Sequence, residues 1–256
     1  LAGRIMGKRV VYHYHENAFV KGTFYKVLAT IMQKLAHKII CVSEYQASFL
    51  QQKKCVITVP NALPQNFVNR LTPNFQAAFK RKHILMLGSL KLYKSPLEFI
   101  ELTKRLPQFI FVLVINDTKE NINIFIKEYK INISKNLTIY PQQNDVVPFY
   151  NQTSLVLNLS NKKQFVETFG LTALEAMSAG LPVIVPTEGG IAEMVVDGEN
   201  GYKIDVQNLN QIAECIKTIL SDETLYMELA QNALAYSKRF SEAKMVNSIE
   251  MILNRK

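Results

Sequence analysis

The sequence predicts a layered α/β protein with parallel sheets, and two features predict it. Short apolar runs alternate with helical segments along most of the chain, the pattern of strands joined by crossover helices. The composition supplies the core that such layers need. Of 256 residues, 48% are hydrophobic and 20% are charged, which excludes global disorder. A chain of this length holds one large α/β domain or about one and a half Rossmann-sized units.

The elements follow in order. Residues 9–13 (RVVYH) read as a strand, and residues 23–35 as a helix with Phe24, Val27, Leu28, Ile31 and Leu35 on one side. Residues 38–42 (KIICV) form a second strand, after which Ser43 is a good N-cap for a helix over 45–52. A third strand, 54–59 (KCVITV), stops at Pro60-Asn61. Residues 62–82 contain Pro64, Pro73 and several Asn and read as a linker with room for one short helix. A second α/β series begins at His83, with strands near 84–87, 109–115, 137–140, 155–159 and 182–185. The chain from Gln207 onward is helical, carrying Ile212, Ile216, Ile219 and Leu220 and then Leu225, Leu229 and Ala233.

Charge and cysteine usage narrow the partners. Thirty Lys and Arg against 21 acids give +9, which suits anionic partners: nucleotide sugars, nucleic acid or acidic head groups. Nucleic acid is set aside, because no zinc spacing, helix-turn-helix pattern or aromatic-basic stripe accompanies the charge. Cys41, Cys55 and Cys215 are scattered among apolar neighbours and read as reduced, buried thiols, which points to a cytoplasmic location. The Asn132, Asn136, Asn151 and Asn158 sequons are accordingly read as accidental, with Asn158 expected inside a buried strand. No apolar run reaches membrane-span length, and no cluster has metal-ligand spacing. The chain starts on Leu1 and strand signals follow almost at once, so the reading expects an N-terminal truncation.

The most informative stretch is 165–177, FVETFGLTALEAM, followed by SAGLPVIVPTEGGIAEMV. Glu167 and Glu175 lie eight positions apart, the first in a loop and the second about two turns into the next helix, so both can face one cleft. The helix starts near Phe169-Gly170, where free N–H groups and the positive dipole end can hold a diphosphate. Gly170 lets that backbone approach a bulky anion. Two solvated glutamates at a helix start are the plain alternative at this point.

The run from Glu167 to Gly201 resembles the signature of retaining GT-B glycosyltransferases of family four, the glycosyl transferases group 1. It passes without a gap through Ser178-Ala179-Gly180, a strand, Gly189-Gly190, Glu193 and the turn Asp197-Gly198-Glu199-Asn200-Gly201. The resemblance implies a GT-B-like fold: two Rossmann-type domains with parallel sheets, the N-terminal one incomplete. Residues 1–61 would be the remnant of the acceptor-side domain, 83–238 the nucleotide-sugar domain and 239–256 a helix crossing back.

It also implies roles. Glu167 would contact the transferred sugar, Glu175 the ribose hydroxyls, and the amides of Phe169, Gly170 and Leu171 the diphosphate. In the segment 85–95 (LMLGSLKLYKS), Gly88 and Lys94 match a diphosphate-binding element whose Arg position holds Ser89 here. Serine cannot replace a planar bidentate fork, although Lys91 stands nearby. Residues 140–150 resemble the segment that meets the nucleobase. His15, with His13 as its rival, resembles the histidine that faces the donor sugar across the cleft.

The catalytic set implied is therefore Glu167, Lys94 and His15, in a retaining transfer from a nucleotide sugar to a saccharide or lipid-linked acceptor. The setting implied is bacterial polysaccharide or glycolipid synthesis in the cytoplasm. No metal or cofactor is expected. The basic segment 21–38 is read either as a helix packed on its sheet or as a peripheral contact with the inner membrane face. Ser89 and the short first domain keep a non-catalytic nucleotide-sugar-binding or assembly protein as the alternative, and a GT-B-type epimerase stands third.

Overall fold

The computed structural model describes residues 2–15, 23–51 and 53–254. The first unit opens with a short helix, α1 (Ala2–Ile5), and β1 (Val11–Tyr14). It continues through α2 (Thr23–Leu35), β2 (Lys38–Cys41), α3 (Glu44–Ser48) and β3 (Val56–Thr58). Its three strands lie parallel in the order β1-β2-β3, with Val11 opposite Lys38 and Ile39 opposite Val56. Ser43 caps α3 as expected, accepting from the Gln46 N–H at 3.1 Å.

The segment 62–82 carries two helices, α4 (Gln65–Val68) and α5 (Phe75–Arg81). It buries Leu63, Leu71 and Ala78 in the large core described next. Asn74 caps α5 from the Ala77 N–H. The proline and asparagine content of this stretch thus marks helix ends within a packed connection.

The second unit alternates β4 (His83–Gly88), α6 (Pro96–Arg105), β5 (Ile110–Ile115), α7 (Lys119–Glu128) and β6 (Leu137–Tyr140). It continues with α8 (Val147–Asn151), β7 (Leu155–Leu157), α9 (Leu171–Ser178), β8 (Val183–Val185), α10 (Gly190–Glu193) and β9 (Gly201–Lys203). The sheet order is β6-β5-β4-β7-β8-β9, all parallel. Counted within this unit, that is the doubly wound order 3-2-1-4-5-6, whose direction reverses between β4 and β7. Strands covered on both faces need apolar residues at every position, which is why Ile84, Leu85, Met86, Leu155, Val156 and Leu157 run unbroken and are all buried.

Three helices finish the chain: α11 (Leu209–Ser221), α12 (Glu223–Ser237) and α13 (Glu242–Asn254). The last one returns to the first sheet, where Ile252 packs with Ile40 and Val59 and the Leu253 carbonyl accepts from Arg9 at 2.8 Å. A second junction lies at α10. The Glu193 carboxylate accepts the N–H groups of Glu44 and Tyr45 at the start of α3. Beside it the Tyr45 hydroxyl donates to Glu188 at 2.8 Å.

Most of the apolar side that the sequence marks on α2 points outward, with Phe24 70%, Val27 52%, Leu28 46% and Ile31 47% exposed. The sheet takes Ala29 and Met32 instead, and Gln33 is buried where its side chain accepts the Gln51 N–H at 2.7 Å. Small Ala29 allows close approach, so the largest apolar stripe is not the packed one. Among the described residues, no helix is long and apolar enough to cross a membrane.

Candidate functional site

A hollow of about 930 Å³ opens at the carboxyl ends of β4 and β7, where the sheet order reverses. Ligands of doubly wound sheets bind in this crevice. Its walls come from Gly88, Ser89, Lys91 and Lys94 after β4, from Asn158 and Ser160 after β7, and from residues 167–172 before and within α9. Asn61 reaches it from the end of the first unit.

Two predicted residues meet at its centre. Lys94 and Glu167, 73 positions apart, form an ion pair, and Ser160 donates to the same Glu167 oxygen at 2.8 Å. The pair is mostly enclosed, with side chains 24% and 15% exposed. Lys94 also lies 4.5 Å from the Phe165 ring centre, and that ring stacks on Tyr93 at 4.8 Å. Together these contacts hold the lysine's long stem and keep its cation on Glu167, in the hollow that the start of α9 also lines.

Gly170 is the N-cap of α9 at φ +93°, a left-handed conformation that favours glycine. A Cβ there would also lie 2.4 Å from the Ile191 side chain. The glycine is therefore demanded by backbone conformation and by the packing of α10. The N–H groups of Phe169, Gly170, Leu171 and Thr172 donate to no backbone acceptor among the described residues, leaving a positive helix end open to the hollow. Ser89 lines the hollow where a guanidinium was the resemblance's expectation, and Lys91 lines it nearby.

Glu175 lies one turn further along α9 and is half-buried. Desolvation raises its carboxyl above the usual carboxylate range, opposed by the Tyr150 hydroxyl, which donates to Oε2. It is thus more enclosed than a solvated glutamate at a helix start. Neither Glu175, expected to share the cleft with Glu167, nor any residue of 140–150 lines the hollow, and Tyr150 turns into the core.

His15 is placed elsewhere. It shares a separate hollow with Tyr12, His13 and Tyr25, its ring centre 4.0 Å from that of His13, and does not line the main cavity. Burial, with His15 next in effect, lowers the His13 pKa. Glu16 and Asn17, quoted with it in the resemblance, lie outside the described residues. Asn158 sits just beyond β7, half-buried, and its amide donates to the Thr172 hydroxyl at 3.3 Å. The sequence reading missed it and Ser160 as site residues, although the sequon drew attention to both.

A doubly wound sheet with a paired Lys and Glu at its switch point, joined to a second parallel sheet, defines a GT-B-like α/β protein. A family model described as glycosyl transferases group 1 matches residues 70–236, more than half of the chain, and the chain belongs to that family. N-acetyl-alpha-D-glucosaminyl L-malate synthase of Bacillus anthracis is 30% identical over 142 residues, covering 55% of this chain and 36% of that protein. An uncharacterized glycosyltransferase of Haemophilus influenzae is 24% identical over 226 residues, covering 84% of this chain and 61% of that one. The chain therefore spans less than two thirds of either relative. The crystal structure of Anabaena HepE with UDP and glucose superposes with a TM-score of 0.83 at 21% identity, covering 100% of this chain and 74% of that one. Sucrose-phosphate synthase of Thermosynechococcus elongatus gives 0.79 at 20% identity, covering 98% and 69%. These superpositions establish the fold.

Proposed function

We propose that this chain is the donor-binding half of a glycosyltransferase. It would move a sugar from a nucleotide-diphosphate sugar to a saccharide or lipid-linked acceptor with retention at the anomeric carbon. The observation that carries the reading is the Lys94–Glu167 pair beside the open N–H groups of α9, in the switch-point crevice. A diphosphate entering there meets one fixed cation and a helix start, both of which stabilise the charge that grows on the leaving group. Lys94 would then exchange Glu167 for phosphate oxygens, releasing the carboxylate to accept sugar hydroxyls.

Glu167 is held by two donors on one oxygen, which suits an orienting carboxylate. Glu175, one turn deeper, is assigned to the ribose. Lys94, Lys91 and the helix start supply the positive charge, so no metal or cofactor is assigned. The UDP and glucose held by Anabaena HepE, and the sugar chemistry named for the Bacillus anthracis relative, support a nucleotide-sugar donor. A cytoplasmic location at the inner membrane face, in polysaccharide or glycolipid synthesis, belongs to the same proposal. So do the boundaries 1–61, 62–82, 83–238 and 239–256. His15 is kept as the residue facing the donor sugar once the two units close on it. One observation favours a non-catalytic binder instead: Ser89 lines the hollow without the fork that grips a diphosphate.

Calorimetry separates the two glutamates. Glu175→Gln should weaken UDP by about 1.5–3 kcal/mol, since a charged acceptor is lost from the nucleoside side. Glu167→Gln should leave UDP nearly untouched and weaken UDP-glucose. Equal losses for both ligands in both variants, with unchanged melting curves, would sink the assignment.

A further inference from the structure

We propose that Tyr150 is a positioning residue that locks the rotation of the Glu175 carboxylate so that it can accept a ligand's vicinal hydroxyls. The inference rests on the donor-site reading above. Tyr150 comes from α8, is 1% exposed, and has its ring edge-on to Phe67 at 6.4 Å. Its hydroxyl donates to Glu175 Oε2 and lies 3.5 Å from the Thr172 carbonyl oxygen. The phenol is thus pinned by packing before it touches the carboxylate.

The chemistry around Glu175 sets it apart from Glu167. Glu167 has a lysine partner, whereas no Lys or Arg among the described residues forms an ion pair with Glu175. On the elements around α9, Tyr226 of α12 donates to the Ser154 carbonyl and Arg70 pairs with Asp145. The Tyr150 hydroxyl is left as the group that acts on Glu175. Burial keeps that phenol protonated far above neutrality, so it is always the donor and the carboxylate always the acceptor.

A half-buried carboxylate without a cation repels phosphate and retains the capacity to accept from neutral O–H groups. With Oε2 anchored to Tyr150, Oε1 accepts no hydrogen bond among the described residues and is not fully buried, so it is the oxygen left for a ligand. A vicinal diol is the matching ligand group, and a freely rotating carboxylate would lose affinity in becoming ordered upon binding. The same bond opposes the rise in the Glu175 pKa caused by burial. Removing it leaves the acceptor form less favoured, so affinity should fail at a higher pH as acid is added.

The test is UDP-glucose binding by calorimetry from about pH 5 to pH 8, a range that spans a burial-raised carboxyl. UDP-glucose is chosen because its diphosphate diester does not titrate there. Tyr150→Phe should weaken binding about tenfold at neutral pH and move the acid-side loss of affinity to higher pH. In a Glu175→Ala background the same change should add nearly nothing, because the accepting side chain is gone. Placing 4-aminophenylalanine at 150, which keeps the ring and a donor, should return the profile toward wild type; this variant decides the matter if the phenylalanine variant melts.

An unshifted pH profile for Tyr150→Phe, or an equal loss in the Glu175→Ala background, overturns the inference and leaves the donor site standing. Failure of the folded wild-type protein to bind UDP-glucose overturns the donor-site reading and the inference with it.

Discussion

The two sheets differ less in their strands than in what covers them. In the six-stranded unit both faces are closed, so Ile84, Leu85, Leu155 and Ile184 are at most 0% exposed. In the three-stranded unit α2 turns its widest apolar stripe outward, and Phe24 alone is 70% exposed. Periodicity finds a helix and its apolar side, but which side meets the sheet depends on the partner, and here small Ala29 and bonded Gln33 win the contact. The units are tied where α10 of one meets α3 of the other, through Glu193.

That junction is where the comparison breaks most easily. A Cβ on Gly190 would lie 1.8 Å from the Thr168 carbonyl oxygen and 2.7 Å from the Ser43 hydroxyl. The Gly190 N–H also donates to the Glu167 carbonyl at 2.8 Å. Gly190→Ala therefore has backbone on one side and the other unit on the second. A loss above about 3 kcal/mol is expected in denaturant melts, together with a loss of UDP binding, because neither neighbour can relax cheaply. A variant as stable as wild type would show that Gly190 does not pack against Thr168 and Ser43 in solution.

A smaller effect of opposite sign is expected at Ser95, inside the closed unit. This residue is left-handed at φ 57°, fully buried, and its hydroxyl has no partner among the described residues. Ser95→Gly relieves both faults while adding freedom to the unfolded chain. The net gain should be about 1 kcal/mol, read as a rise in Tm of about 2–4 °C. A fall in Tm would mean that the hydroxyl is bonded after all.

The same contrast governs what could be read in advance. The central strands of the closed unit were legible to within a residue or two, since burial on both faces writes them as unbroken apolar runs such as 155–157. β9 was missed because Gly201-Tyr202-Lys203 carries no such run and is fixed by its neighbours, including the Lys203 N–H bonded to Asp197 at 2.7 Å. At the site, the spacing of Glu167 and Glu175 and the glycine at 170 were visible locally. Their long-range partners were not. Lys94 meets Glu167 only because β4 and β7 are neighbours across the sheet's reversal, and Tyr150 reads in sequence as one more aromatic near a turn.

The smallest expected effect sharpens the comparison most. Ile31 is 47% exposed on α2 beside Leu28 at 46% and Val27 at 52%. Replacing Ile31 by Gln changes a position that is about half exposed and puts a good helix former there. Stability should change by no more than about 0.5 kcal/mol, as for surface positions away from caps and cores. Melts at two protein concentrations at least tenfold apart check this, since a face covered by a second copy would make Tm depend on concentration. A loss above about 1.5 kcal/mol would place Ile31 in a contact at least as costly as a core methyl group, and a concentration-dependent Tm would assign that contact to another chain. With neither, the outward stripe of α2 is surface, and the three-stranded unit is stabilised from its other side, where Ile252 of α13 lies against Ile40 and Val59.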